Sequence, residues 1–174
     1  MNAIERVAAY MHEQSLTLVT AESCTAGLIA ATLADIPGAG ALLDCAFVAY
    51  SPQAKQQCLG VSARTLQRHN LTSEAVAREM ALGAARNSPA NVAISNTGVT
   101  DDTDDEIPAG TQCYAWVFKA GPADASPAVY TETIRFMGDR NTIRRASAGH
   151  ALARLIEYHR QWREGARPSA TRSG

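Results

Sequence analysis

Lysine is almost missing from this chain of 174 residues: fourteen of its sixteen basic side chains are arginine, leaving Lys55 and Lys119. Arginine stays protonated in proteins, whereas a lysine can be tuned to act as a base, so the choice of a basic amine is nearly made. An excess of one charge is lacking too. Sixteen basic residues stand against seventeen acidic ones with no long basic run, which gives nucleic acid no electrostatic footprint. No stretch of about 18 uninterrupted apolar residues is present, so no membrane span is expected. Glu5, Arg6, His12 and Glu13 stand where a secretory signal would need an apolar run, which points to a cytoplasmic protein. Cys24, Cys45, Cys58 and Cys113 form no CxxC pair and suggest reduced thiols rather than a disulfide framework. His12, His69, His150 and His159 show neither HxxxH nor cysteine–histidine spacing, so no metal or other cofactor is expected. The acidic run 101–106 fails as a calcium loop: from Asp101, position six is Glu106 instead of glycine and position twelve is Gln112 instead of glutamate.

What is present suffices for a core, since 46% of residues are hydrophobic and wholesale disorder is excluded. Ile4, Val7, Ala8 and Met11 predict a helix over 3–13. Apolar runs predict strands over 16–21, 45–50 and 92–96, and alternation adds 111–119 and 129–136 across a turn at 121–127. Ser23 and Thr25 are expected to cap a helix reaching Asp35. Short helices are expected over 53–59 and 63–68, and a longer one opens at Leu71-Thr72-Ser73-Glu74 with Val76, Met80 and Ala84 along one face. The last helix follows Gly138-Asp139-Arg140, with Ile143, Ala146, Ala151, Leu155 and Ile156 as its apolar side. Strands alternating with helices and then a β-β run imply an α/β fold: a three-layer α/β/α sandwich with a mixed, mostly parallel five-stranded sheet. One domain is expected over 1–162, with a frayed tail over 163–174.

In such a sheet the working site lies beyond the carboxyl ends of the parallel strands, where ESCTAG, YSPQAK and NTGVTDD fall. Ser23 sits at a strand-to-helix turn whose unpaired amides suit an oxyanion. A serine nucleophile needs a base, no histidine falls at a strand end, and Lys55 is the nearest candidate. The residues alone leave other readings open: Ser23 as a plain cap, Lys55 as a solvated charge, Tyr50 as packing, and 101–106 as a solvated loop.

The segments TAESCTAGLIAATLADIPG, FVAYSPQAKQQCLGV, LTSEAVAREMALGA, NTGV with PAGT behind it, and FMGDRNTIRRASAGHAL together carry a resemblance. From about Leu16 to Leu155 the chain resembles the C-terminal domain of competence/damage-inducible CinA proteins, which also occurs alone as nicotinamide mononucleotide (NMN) deamidase. The resemblance implies metal-free hydrolysis of the NMN carboxamide to nicotinate mononucleotide and ammonia. It puts the nucleophile at Ser23, the base at Lys55, the segment's tyrosine at Tyr50 and the GDR arginine at Arg140. Amides around Thr25 and Ala26 would hold the oxyanion, and Thr97 and Gly98 would contact substrate. A small-molecule partner (a pyridine nucleotide or related amide) and a homo-oligomer are expected. Two departures stand out: Ala26 replaces the first glycine of the family's SCTGG, and VTDDTDDEIP replaces a glycine-rich stretch, with Ile107 in place of a lysine. The acidic loop motivates an alternative, a CinA-like paralog with altered or lost NMN activity that acts on another amide or as a binding module. A structural module within a homo-oligomer is a third reading. Nothing in the residues speaks to competence or DNA damage.

Overall fold

The structure, a computed structural model, describes residues 1–165. Strand β1 (Leu18–Glu22) is buried at every position, as a strand covered on both faces must be. It pairs in parallel with β2 (Leu43–Val48) on one side and β3 (Val92–Gly98) on the other. Antiparallel pairing then adds β4 (Thr111–Phe118) and β5 (Ala128–Arg135). The order is β2-β1-β3-β4-β5, and β4 alone runs against the others, giving the mixed sheet expected from the sequence. The first strand starts at Leu18 rather than residue 16, the second ends at Val48 rather than Tyr50, and the third continues to Gly98 rather than stopping at Asn96.

Helices α1 (Ala3–Glu13), α2 (Leu28–Ala34) and α6 (Arg140–Arg163) cover one face of the sheet. On the other face lie α3 (Pro52–Leu59), α4 (Ala63–Arg68) and α5 (Glu74–Arg86). The alternation in β4 explains the division. Tyr114, Trp116 and Phe118 point to α6, whereas Cys113, Ala115 and Val117 meet the alanine-rich α5. All four cysteines are free thiols. Among the described residues no helix is long and apolar enough to cross a membrane. Of the tail expected from residue 163, Arg163 still belongs to α6 and residues 166–174 lie outside the described ones.

Most helix starts follow local rules: Asn2 and Glu5 form a capping box, and Ser51, Ser62, Ser73 and Asp139 each accept an amide two or three residues into their helix. Helix α2 does not. Neither Ser23 nor Thr25 caps it, because Ala26 (φ 48°) and Gly27 (φ 94°) are left-handed and delay the helix to Leu28. The cap comes from the preceding strand, where buried Glu22 accepts from the amides of Gly27, Ile29 and Ala30 at 2.9–3.0 Å. The apolar face of α6 also shifts from expectation. Ala146 is exposed, while Ser147 and Ala148 are buried in line with Ile143, Ala151 and Leu155.

Candidate active site

The turns after β1, β2 and β3 meet at one end of the sheet and line a cleft of about 240 Å³. Lys55 enters from α3. Ser51 and Pro52 fix the start of that helix, and Lys55 lies in its first turns with its side chain buried, 1% exposed. Its Nζ lies 3.0 Å from Ser23 Oγ, 3.0 Å from Ala49 O and 3.0 Å from Tyr50 O. Two of these neighbours are carbonyls that can only accept. A neutral amine therefore gives its two hydrogens to them and keeps its lone pair toward the hydroxyl, which can donate. Burial favours the neutral form by pushing the Lys55 pKa down to about 8.

Ser23 is held from below. Its amide donates to Asn96 O (3.0 Å), and its own carbonyl accepts from Ala26 N (3.0 Å). The amides expected to receive an oxyanion are engaged elsewhere. Thr25 N donates to Asn96 Oδ1 at 3.0 Å, Ala26 N to Ser23 O, and those of the helix start to Glu22. The amide of Cys24 is the one in this turn without a partner among the described residues, and Cys24 lines the cleft. Beneath the turn, Asn96 Nδ2 donates to Gln112 Oε1 (2.9 Å) and Ser147 Oγ (3.2 Å), joining β3, β4 and α6 in a buried polar network. From the solvent side, Arg144 donates to Cys24 O (2.9 Å) and Thr25 O (3.2 Å).

The remaining sequence candidates separate into wall, rim and interior. Thr97 and Gly98 are wall residues, Thr97 with its hydroxyl donating to Leu71 O at 2.8 Å. Tyr50 touches the base through its carbonyl, while its exposed phenol accepts from Arg140 at 3.1 Å on the rim. Arg140 also donates to Thr100 Oγ1 (2.8 Å) and lies 3.5 Å from Asp101. Thr25 is fully buried and Ala26 is exposed; neither lines the cleft. The acidic loop is divided. Asp102, Asp105 and Glu106 are exposed, Asp101 meets Arg140, and Asp104 turns into the cleft wall beside Asn70. Sequence reasoning missed Glu22, Asn70, Cys24 and Arg144. Of these, Glu22, an acid beside a helix start, and Cys24, the residue after the expected nucleophile, carried a local signal.

Residues 2–159 match the sequence profile of the CinA C-terminal domain. The chain is 36% identical over 163 residues to the nicotinamide-nucleotide amidohydrolase PncC of Escherichia coli K12, covering 92% of this chain and 95% of that protein. It is 36% identical over 157 residues to a CinA-like protein of Akkermansia muciniphila, covering 89% of this chain but spanning only 36% of that relative. The crystal structure of competence damage-inducible protein A (ComA) from Klebsiella pneumoniae matches with a TM-score of 0.83 at 33% identity, over 92% of this chain and 96% of that one. That of CihA from Agrobacterium tumefaciens matches with a TM-score of 0.80 at 34% identity, over 91% and 97%.

Proposed function

Because the chain belongs to the family of CinA C-terminal domains, we propose that it hydrolyses the carboxamide of a nicotinamide nucleotide of the NMN type, releasing ammonia. The observation that carries this reading is the buried contact of Lys55 Nζ with Ser23 Oγ at 3.0 Å, with two carbonyls orienting the amine. The name of the Escherichia coli relative supplies the substrate class.

In this mechanism neutral Lys55 takes the Ser23 proton as Oγ attacks the amide carbon. The Cys24 amide donates to the oxyanion, as the residue after a nucleophile does in other serine hydrolases. Lys55 then passes its proton to the amide nitrogen, the C–N bond breaks and ammonia leaves. Water, deprotonated by the same amine, cleaves the Ser23 ester to give the carboxylate and the free hydroxyl. Ser23→Ala is expected to lower ammonia release from NMN by at least about 10³-fold. An unchanged rate in the purified variant refutes the assignment.

Asp101 beside Arg140 and Asp104 in the wall favour a second reading with the same dyad, in which the amide substrate carries no phosphate. Preference for NMN over nicotinamide riboside in kcat/KM counts against it.

A further inference from the structure

Of the residues lining the cleft, two carry charge, Lys55 and Asp104. Asp104 is fixed by neutral donors only: Asn70 Nδ2 reaches Oδ2 at 2.9 Å, and the amides of Glu106 and Ile107 reach Oδ1 at 2.8 and 2.9 Å. Its hydrogen bond from Asn70, followed by that from Glu106, holds its carboxyl below the usual range and so ionised. No cation pairs with it among the described residues. The arginines near the site are turned to other groups, Arg140 to Tyr50, Thr100 and Asp101, and Arg144 to the carbonyls of Cys24 and Thr25. When Lys55 is neutral, as a base must be, the Asp104 carboxylate is the one formal charge on the cleft wall.

We propose that Asp104 sets the substrate class by selecting a carboxamide borne on a cationic ring, an N-substituted pyridinium, over the neutral carboxamide of the same shape. The proposal rests on the hydrolase reading, which seats the carboxamide at Ser23. A space of 240 Å³ is only about 8 Å across if round, so a ring seated there lies within reach of the Asp104 field. Unit charges about 6 Å apart, at effective dielectrics of 80 down to 20, correspond to about a 3- to 100-fold preference. A glycine-rich loop in this place would offer amides without that charge.

The test is equilibrium binding of 1-methylnicotinamide and of nicotinamide to the Ser23→Ala protein by calorimetry, which needs no turnover, at about pH 9, above the Lys55 pKa of about 8. The cation is expected to bind about 3- to 100-fold more tightly. Adding Asp104→Asn should bring the ratio close to one. Raising the salt to about 1 M should shrink the ratio with Asp104 intact, which guards against a loop disturbed by the substitution. Equal affinities, binding of neither compound, or a ratio that survives both Asp104→Asn and high salt overturns the proposal. Failure of the hydrolase reading looks different: selective binding of the cation with no Ser23-dependent ammonia release from NMN.

Discussion

Lys55 is buried among groups that can use only one of its protonation states for chemistry. Its ammonium form would offer a hydrogen to Ser23, which already has a proton to lose, so the neutral amine is the reactive state. With burial bringing the pKa to about 8, kcat/KM should rise about tenfold per pH unit below that value and level off above it, because this ratio reports the free enzyme. Lys55→Arg, which stays protonated, should be inactive at every pH. Ala26 makes a different case, since a φ of 48° costs an alanine roughly 1–2 kcal/mol. Its methyl group faces solvent, and the strain is local to the backbone. Ala26→Gly should therefore stabilise the fold by about 1 kcal/mol, read as a rise of about 2–4 °C in Tm. Ser23 and Lys55 were legible in sequence because each lies in the segment that leads out of a parallel strand and lysine is scarce. Asn70 and Asp104 were not, because their contact joins residues 34 positions apart through a loop without periodicity.

Helices α3 and α5 meet where there is no room for a side chain. A Cβ added at Gly83 would stand 1.9 Å from Leu59 O, so the backbone of α3's last turn rests on α5 at that point. A glycine inside a helix ordinarily costs about 1 kcal/mol relative to alanine, yet here it permits the close approach. Gly83→Ala must part the two helices, and overpacking of this kind costs typically 1–3 kcal/mol. Because α3 carries Lys55, the displacement should also reduce kcat. A lowered urea midpoint together with a fall in kcat is the expected pair of results, whereas greater stability with full activity would refute the contact. The start of α5 could be read from its Ser73 cap, but the start of α2 could not. Its cap comes from Glu22 in the preceding strand, and the two left-handed residues between them break the helical pattern that a reading of nearest neighbours relies on.

Across the whole molecule, the order of elements told more than any boundary, because alternating strands and helices leave few ways to cover both faces of a sheet. The closure of one face was hidden. Tyr10 near the end of α1 lies 2.8 Å, through its hydroxyl, from His159 Nδ1 near the end of α6. His159 packs against Phe118 and Trp162 at centroid distances of 5.4 and 5.7 Å. Tyr10, Phe118 and the His159–Trp162 pair are widely separated in the chain, and a histidine on a helix gives no sign of such burial. Burial first, and then the positive charge of Arg163, hold the His159 pKa below its ordinary value. In the unfolded chain the same ring protonates near about 6.5. As the pH falls through that value, the unfolded state binds a proton that the folded state resists, so stability declines until the folded pKa is passed. Neutral His159 is thus a source of stability present at pH 7.5 and partly lost at pH 5.5. His159→Gln, which does not titrate, should lose less of its urea midpoint between those two pH values than the parent protein. An equal loss in both would mean that acid sensitivity arises elsewhere and that the α1–α6 closure plays no part in it.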